Sequence, residues 1–235
     1  HNVKQADAKE MVRGGMEGWL HVPVRDGEIA DDELVGLLRD RVARNDRPNM
    51  WMTLSLITEW MNTKGGGRPD FLDDPLLRAT YSAKQIEDYW GESLRKMTPE
   101  QVARAKSRFE SDAKSAMRVR AAGIRVVGGT DTGQNRFLIG YFNHMDLESM
   151  VAMGLTPAEA IVAATRDGAE IAKFNTGLVA AGRNADFIVL DANPLENISN
   201  TRRINKVFLR GQELPRAEMA AKWQAQFRQA AATAK

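Results

Sequence analysis

The 235-residue sequence has no cysteine and only three histidines, His1, His21 and His144. Without sulfur there is no disulfide framework, no thiolate nucleophile and no thiolate metal site. Any metal must therefore be held by histidine, aspartate or glutamate side chains. The sequence also lacks a dominant charge: 33 basic residues against 31 acidic ones leave a net charge of +2, and the lysines and arginines are scattered. That pattern gives no electrostatic footprint for nucleic acid or a membrane surface. No apolar run is long enough for a membrane span. There is also no initiating methionine and no signal peptide. The chain enters at His1-Asn2-Val3-Lys4 as though inside an element, so it reads as the downstream part of a longer protein. Any targeting signal is then expected upstream, and no compartment is assigned.

What is present suits a packed soluble protein of one large domain or two small ones: 43% of residues are hydrophobic and 27% charged. Residues 7–13 read as a short helix closed by Gly14-Gly15, and Gly18-Trp19-Leu20-His21-Val22 as a buried strand. Asp31 and Asp32 then open a helix with Leu34, Leu37, Leu38 and Val42 on its apolar face, followed by a strand over residues 50–57. From Thr58 to Met97 the pattern loosens into a Gly65-Gly66-Gly67 loop and short irregular helices. This stretch is either a lid or a surface excursion.

The organising stretch is residues 124–132, Ile-Arg-Val-Val-Gly-Gly-Thr-Asp-Thr. It reads as a buried strand that breaks at Gly128-Gly129 and delivers Thr130 and Asp131 at its carboxyl end. The helix before it has Thr98 as its cap, Pro99 at the first position, Gln101 to complete a capping box, and Gly123 as its terminator. Helix, turn, apolar strand and polar tip make the rhythm of a parallel α/β sheet, whose strand ends carry the chemistry. A helix is expected over residues 146–153, and a second capping box at Thr156 and Glu159 opens a helical run to Phe174. Leu178-Val179, residues 186–190 and residues 206–209 read as short strands of a separate β unit. A final helix carries Met219, Trp223 and Phe227 on one face.

His1, His21 and Asp131 lie at or near predicted ends of parallel strands, which a barrel presents on one face. Imidazole and carboxylate form the donor set that suits Zn²⁺ when sulfur is absent. Each residue also has an ordinary reading: a satisfied core histidine, or an aspartate that caps a turn.

The block from Gly123 to Gly211 resembles the metal-dependent amidohydrolase superfamily, especially its imidazolonepropionase and prolidase-like branch. The resemblance rests on Gly129-Thr130-Asp131, Met153-Gly154-Leu155-Thr156-Pro157-Ala158-Glu159-Ala160-Ile161, Ala164-Thr165 and Gly177-Leu178-Val179. It continues through Gly182-Arg183-Asn184-Ala185-Asp186-Phe187-Ile188-Val189-Leu190 and Asn193-Pro194-Leu195. Upstream, His1 and the Gly18-to-His21 run look like that family's fifth and sixth barrel strands. The implied fold is the C-terminal half of a distorted (β/α)₈ TIM barrel over residues 1–174, part of a small β-sandwich over 175–213, and a C-terminal helix over 214–235.

By the same resemblance His1, His21 and Asp131 would bind one or two Zn²⁺ ions or another divalent metal, and Asp131 would take the proton from the attacking water. His144, Arg25, Gln134 and Arg136 would face a small-molecule amide or peptide-like substrate. The family's His-x-His on strand one and its strand-four lysine have no counterpart here. A closed barrel also needs roughly 250 residues, so the missing N-terminal half of the barrel is an expected partner. A homo-oligomer is expected by analogy alone. The leading expectation is a metal-dependent hydrolase cleaving an amide, peptide-like or cyclic amide C–N bond. The alternative is a non-catalytic binding or assembly scaffold that keeps the fold.

Overall fold

The computed structural model describes residues 4–24, 27–44, 50–90, 96–132 and 138–233. Three very short parallel strands lie side by side in chain order: β1 (Gly18–Trp19), β2 (Trp51–Thr53) and β3 (Arg125–Val127). Their register pairs Gly18 with Trp51, and Trp51, Met52 and Thr53 with Arg125, Val126 and Val127. The strands are shorter than the apolar runs that contain them. Gly18 is dictated by its neighbour, since a Cβ there would lie 2.3 Å from the Trp51 indole.

Helices connect and cover these strands. α1 (Gln5–Arg13) precedes β1, and α2 (Asp32–Ala43) links β1 to β2, started by Asp31, whose carboxylate accepts from the Leu34 amide at 2.8 Å. After β2 come α3 (Ile57–Asn62), α4 (Pro75–Thr80), α5 (Ala83–Trp90) and the long α6 (Pro99–Ala121). The expected capping box of α6 is formed in full by Thr98 and Gln101, and Gly123 ends it at φ +98°. The loose region is built into the body: Leu72, Leu77 and Ile86 are fully buried. The core under the sheet is made by Leu34, Leu38, Met50, Met52, Leu54, Leu56 and Phe142.

Beyond β3, α7 (Tyr141–Ala152) starts five residues earlier than its sequence pattern suggests. Tyr141, Phe142 and Met145 are buried, so tertiary packing holds this helix's first turn without a side-chain cap. α8 (Pro157–Val162), a π-helical turn (Ala163–Asp167) and α9 (Gly168–Ile171) make up the next helical run, again with a complete capping box. Leu178 and Val179 are exposed and belong to no strand, which corrects the expectation of one there. A three-stranded antiparallel sheet comes next, β4 (Phe187–Leu190), β5 (Ile204–Leu209) and β6 (Gln212–Glu213), before α10 (Arg216–Thr233). α10 returns to α4, where the Gln224 side chain donates to the Arg78 carbonyl at 2.8 Å. No described helix is long and apolar enough to cross a membrane.

Arg202, in the turn between β4 and β5, ties three segments together. Its guanidinium pairs with Asp74, the N-cap of α4, at 2.9 Å, with Glu148 of α7, and lies 5.8 Å from the Tyr141 ring centre. All three charged side chains are less than one-fifth exposed, so removing one partner strands the others in a poorly solvated place. Arg202→Met is expected to lower the urea-unfolding free energy by about 3 kcal/mol. A change within about 0.5 kcal/mol would mean that solvent already screens the network.

Candidate active site

The parallel register brings the tails of all three strands to one edge, and the middle strand holds the outer two. The Thr53 hydroxyl donates to the Leu20 carbonyl at 2.5 Å, just beyond β1. The Ser55 hydroxyl lies 3.1 Å from Thr53 Oγ1 and donates to the Gly129 carbonyl at 2.9 Å, just beyond β3. Thr53 and Ser55 both serve the same edge, Thr53 from the end of β2 and Ser55 from the tail just beyond it. The contact is tight: a Cβ on Gly129 would sit 2.7 Å from Thr53 Cγ2. Ser55 (φ +47°) and Asp131 (φ +52°) both take left-handed backbone conformations. Such conformations persist in non-glycine residues only where the surroundings enforce them, and they gather at functional sites.

This edge brings His21 and Asp131 together although they lie on opposite sides of β2. His21 Nε2 is 3.9 Å from Asp131 Oδ2; the imidazole is 8% exposed and the carboxylate 57%. The separation is too long for a hydrogen bond. Two donors about 2.0–2.2 Å from one tetrahedral ion lie about 3.3–3.6 Å apart, so sharing a metal would require the pair to close by a few tenths of an ångström. Among the described residues no group of three or more His, Asp or Glu side chains gathers around one point. His1, Arg25, Gln134 and Arg136 lie outside the described residues.

His144 is not part of this pair. It projects from α7 into a neighbouring cavity of about 600 Å³, lined also by Thr130, Asp146, Ile161, Ile188 and Thr201. Its Nδ1 is 3.1 Å from the Thr201 hydroxyl, which itself donates to the Ile198 carbonyl at 2.9 Å. The hydroxyl proton is thereby committed, so His144 Nδ1 carries the hydrogen and Nε2 keeps its lone pair. Burial, with Arg202 adding repulsion, pushes the His144 imidazole down to about 4.

Two groups of the site were not singled out from the sequence. The Thr53/Ser55 pair is a polar i, i+2 repeat at a strand end, a signal visible in the sequence. Asp146 is a lone acid within the apolar helix face formed by Phe142, Met145 and Met150, and it is 3% exposed. Its Oδ2 accepts from the Gly129 amide at 3.1 Å. The preceding amide, Gly128, donates to the Ala163 carbonyl at 3.1 Å. Burial lifts the Asp146 carboxyl to about 7, opposed by the Gly129 hydrogen bond.

Residues 77–214 match the profile of the Amidohydrolase family, which is more than half of the chain. The chain belongs to the amidohydrolase family. Its structure is similar to that of A. niger ochratoxinase (TM-score 0.59, 21% identity, 90% of this chain and 40% of that one). It is also similar to molinate hydrolase (0.58, 18%, 92% and 42%) and to a prolidase solved with N-methylphosphonate-L-proline (0.53, 22%, 91% and 44%). The chain spans less than half the length of each of these three structures. No curated protein matches it. The likeness establishes the fold, a mixed α/β arrangement matching part of these amidohydrolase TIM-barrel structures.

The two buried titrating groups drive stability in opposite directions with pH. Asp146 holds its proton up to about 7, whereas an unperturbed carboxyl releases it near 3.8. Its contribution to stability is complete below 3.8 and is lost as pH rises through about 7. His144, lowered from 6.5 to about 4, contributes stability that is present above 6.5 and lost as pH falls through about 4. Asp146→Asn is expected to remove the decline in Tm on the neutral side and leave the acid-side decline in place. An unaltered Tm–pH curve would show that the Asp146 carboxyl is hydrated in solution.

Proposed function

We propose that this amidohydrolase-family chain supplies His21 and Asp131 to the active site of a metal-dependent hydrolase. The bond attacked is an amide, peptide-like or cyclic amide C–N bond. The observation that carries the reading is the meeting of a sheltered imidazole and a solvent-facing carboxylate 3.9 Å apart, at the carboxyl edge of a parallel sheet. Similar structures named as an ochratoxinase, a molinate hydrolase and a prolidase lend support at the level of hydrolysis.

His21, nearly buried, presents Nε2 from a fixed ring and acts as a ligand. Asp131 places Oδ2 beside it. More than half exposed, its carboxylate can reach a water molecule and accept its proton. The same carboxyl then returns that proton to the departing nitrogen. A divalent ion, zinc by its match to imidazole and carboxylate donors, supplies Lewis acidity and brings the pKa of a water to about 7 when bound.

Under this reading His1 is the third ligand, and an upstream barrel segment supplies the remainder. Arg25, Gln134 and Arg136 line the substrate side, where a guanidinium would pair with a substrate carboxylate. His144, neutral at pH 7 with a free Nε2 lone pair, can accept one hydrogen bond from a bound substrate. Self-association of the complete protein is part of the same reading, with the Met219, Trp223 and Phe227 face of α10 as its candidate surface. The rival reading, a binding scaffold, draws on the presence of only two converging donors among the described residues.

Zinc titration of the complete protein, with its upstream barrel segment, followed by competition with a chromophoric chelator, separates the two. Binding is expected, weakened by about tenfold or more in His21→Ala and in Asp131→Asn. Affinity that both substitutions leave unchanged would exclude this pair as ligands. In the complete enzyme, Asp131→Asn is expected to abolish turnover of dipeptides, N-acyl amino acids or cyclic amides with Tm unchanged. Near-normal turnover would remove Asp131 from the mechanism.

A further inference from the structure

Asp146 is expensive where it stands. It stands on α7 among buried Phe142, Met145 and Met150, with buried Ser149 one turn on; its side chain is almost wholly buried, and Oδ1 has no hydrogen-bond partner among the described residues. A leucine or methionine there would match Phe142, Met145 and Met150 without desolvating a carboxyl. Buried polar groups left partly unsatisfied call for a specific explanation, and here Oδ2 provides one.

That oxygen accepts from the Gly129 amide, and the carbonyl of the same residue is taken by the Ser55 hydroxyl. The Gly129 residue is therefore gripped from both sides, by α7 at its nitrogen and by the β2 tail at its oxygen. Thr53 closes the space where a Gly129 side chain would be. The backbone then has little freedom before Asp131, two residues on, which sits at φ +52° with its carboxylate turned to His21. Among the described residues, the Thr130 hydroxyl donates to the Thr132 hydroxyl at 3.2 Å.

We infer that Asp146 is the positioning residue of this site: by holding the Gly129 amide against the pull of Ser55 on its carbonyl, it sets the backbone that carries Asp131 to His21. The inference rests on the metal-site reading of His21 and Asp131. It goes beyond that reading by assigning a role to a side chain that touches neither metal nor substrate. A helix residue some distance from the strand edge becomes a determinant of ligand geometry.

The test compares Asp146→Asn, which keeps an oxygen acceptor for the Gly129 amide, with Asp146→Leu, which keeps volume and removes the acceptor. Zinc affinity of the complete protein is expected to stay within about twofold of wild type in Asp146→Asn and to fall by about tenfold to a hundredfold in Asp146→Leu, the range for loss of an outer partner of a metal site. A purely structural role would move Tm in Asp146→Leu and spare the affinity of its folded fraction, which would overturn the inference. Ser55→Ala releases the same residue from the other side without touching α7. It is expected to weaken zinc about tenfold even if Asp146→Leu does not fold, and wild-type affinity in Ser55→Ala would overturn the clamp.

If the complete wild-type protein, with its upstream barrel segment, binds no zinc, the metal-site reading fails, and the metal-free protein still decides the inference. In a crystal structure of Asp146→Leu, or of Ser55→Ala if the former does not fold, Asp131 is expected to have left its left-handed conformation and moved away from His21. An unchanged His21–Asp131 separation would refute the positioning role by itself.

Discussion

The β3 side of the carboxyl edge depends on a single backbone unit, Gly129, held on one side by the Asp146 carboxylate and on the other by the Ser55 hydroxyl. The strands that feed this edge are two or three residues long, too short for ladder hydrogen bonds to place the segments beyond them. Side-chain hydroxyls take over that task. Thr53 holds the tail of β1 through Leu20, and Ser55 holds the tail of β3 through Gly129. His21 and Asp131 meet because the strand between them reaches out in both directions.

The same cause produces opposite electrostatics in the cavity behind the edge. Burial disfavours whichever form is charged, so it raises the Asp146 carboxyl and lowers the His144 imidazole. At pH 7 His144 is a neutral ring with a defined tautomer, and Asp146 sits near the midpoint of its titration. Asp131, by contrast, is the solvent-facing acid of the group. Burial thus separates the group suited to exchange protons with solvent from the one that shapes the backbone.

Farther out, Arg202 performs the corresponding task for whole elements. By pairing with Asp74 and Glu148 it fastens the segment before β5 to both α4 and α7. Burial lifts the Glu148 carboxyl while Arg202 draws it back down. Because α7 also carries Asp146 and His144, the seating of this helix bears on the strand edge and on the adjacent cavity.

Much of this was legible in the sequence because it is written locally. Two capping boxes, the Asp31 cap, the Gly123 terminator and the strand breaking at Gly128-Gly129 all depend on residues a few positions apart. The motifs running from Gly129 to Leu195 carried the family resemblance. The absence of cysteine leaves imidazole and carboxylate, the groups His21 and Asp131 carry, as the available metal donors. Three-dimensional packing alone decided the rest. α7 begins at Tyr141 because buried neighbours stabilise an uncapped turn, and Leu178-Val179 forms no strand because no partner pairs with it. The positioning group Asp146 lies seventeen residues from the glycine it holds and Ser55 seventy-four. A hydrogen bond between residues so far apart leaves no periodic trace in the chain, and it exists only once helix and strands have been folded against each other.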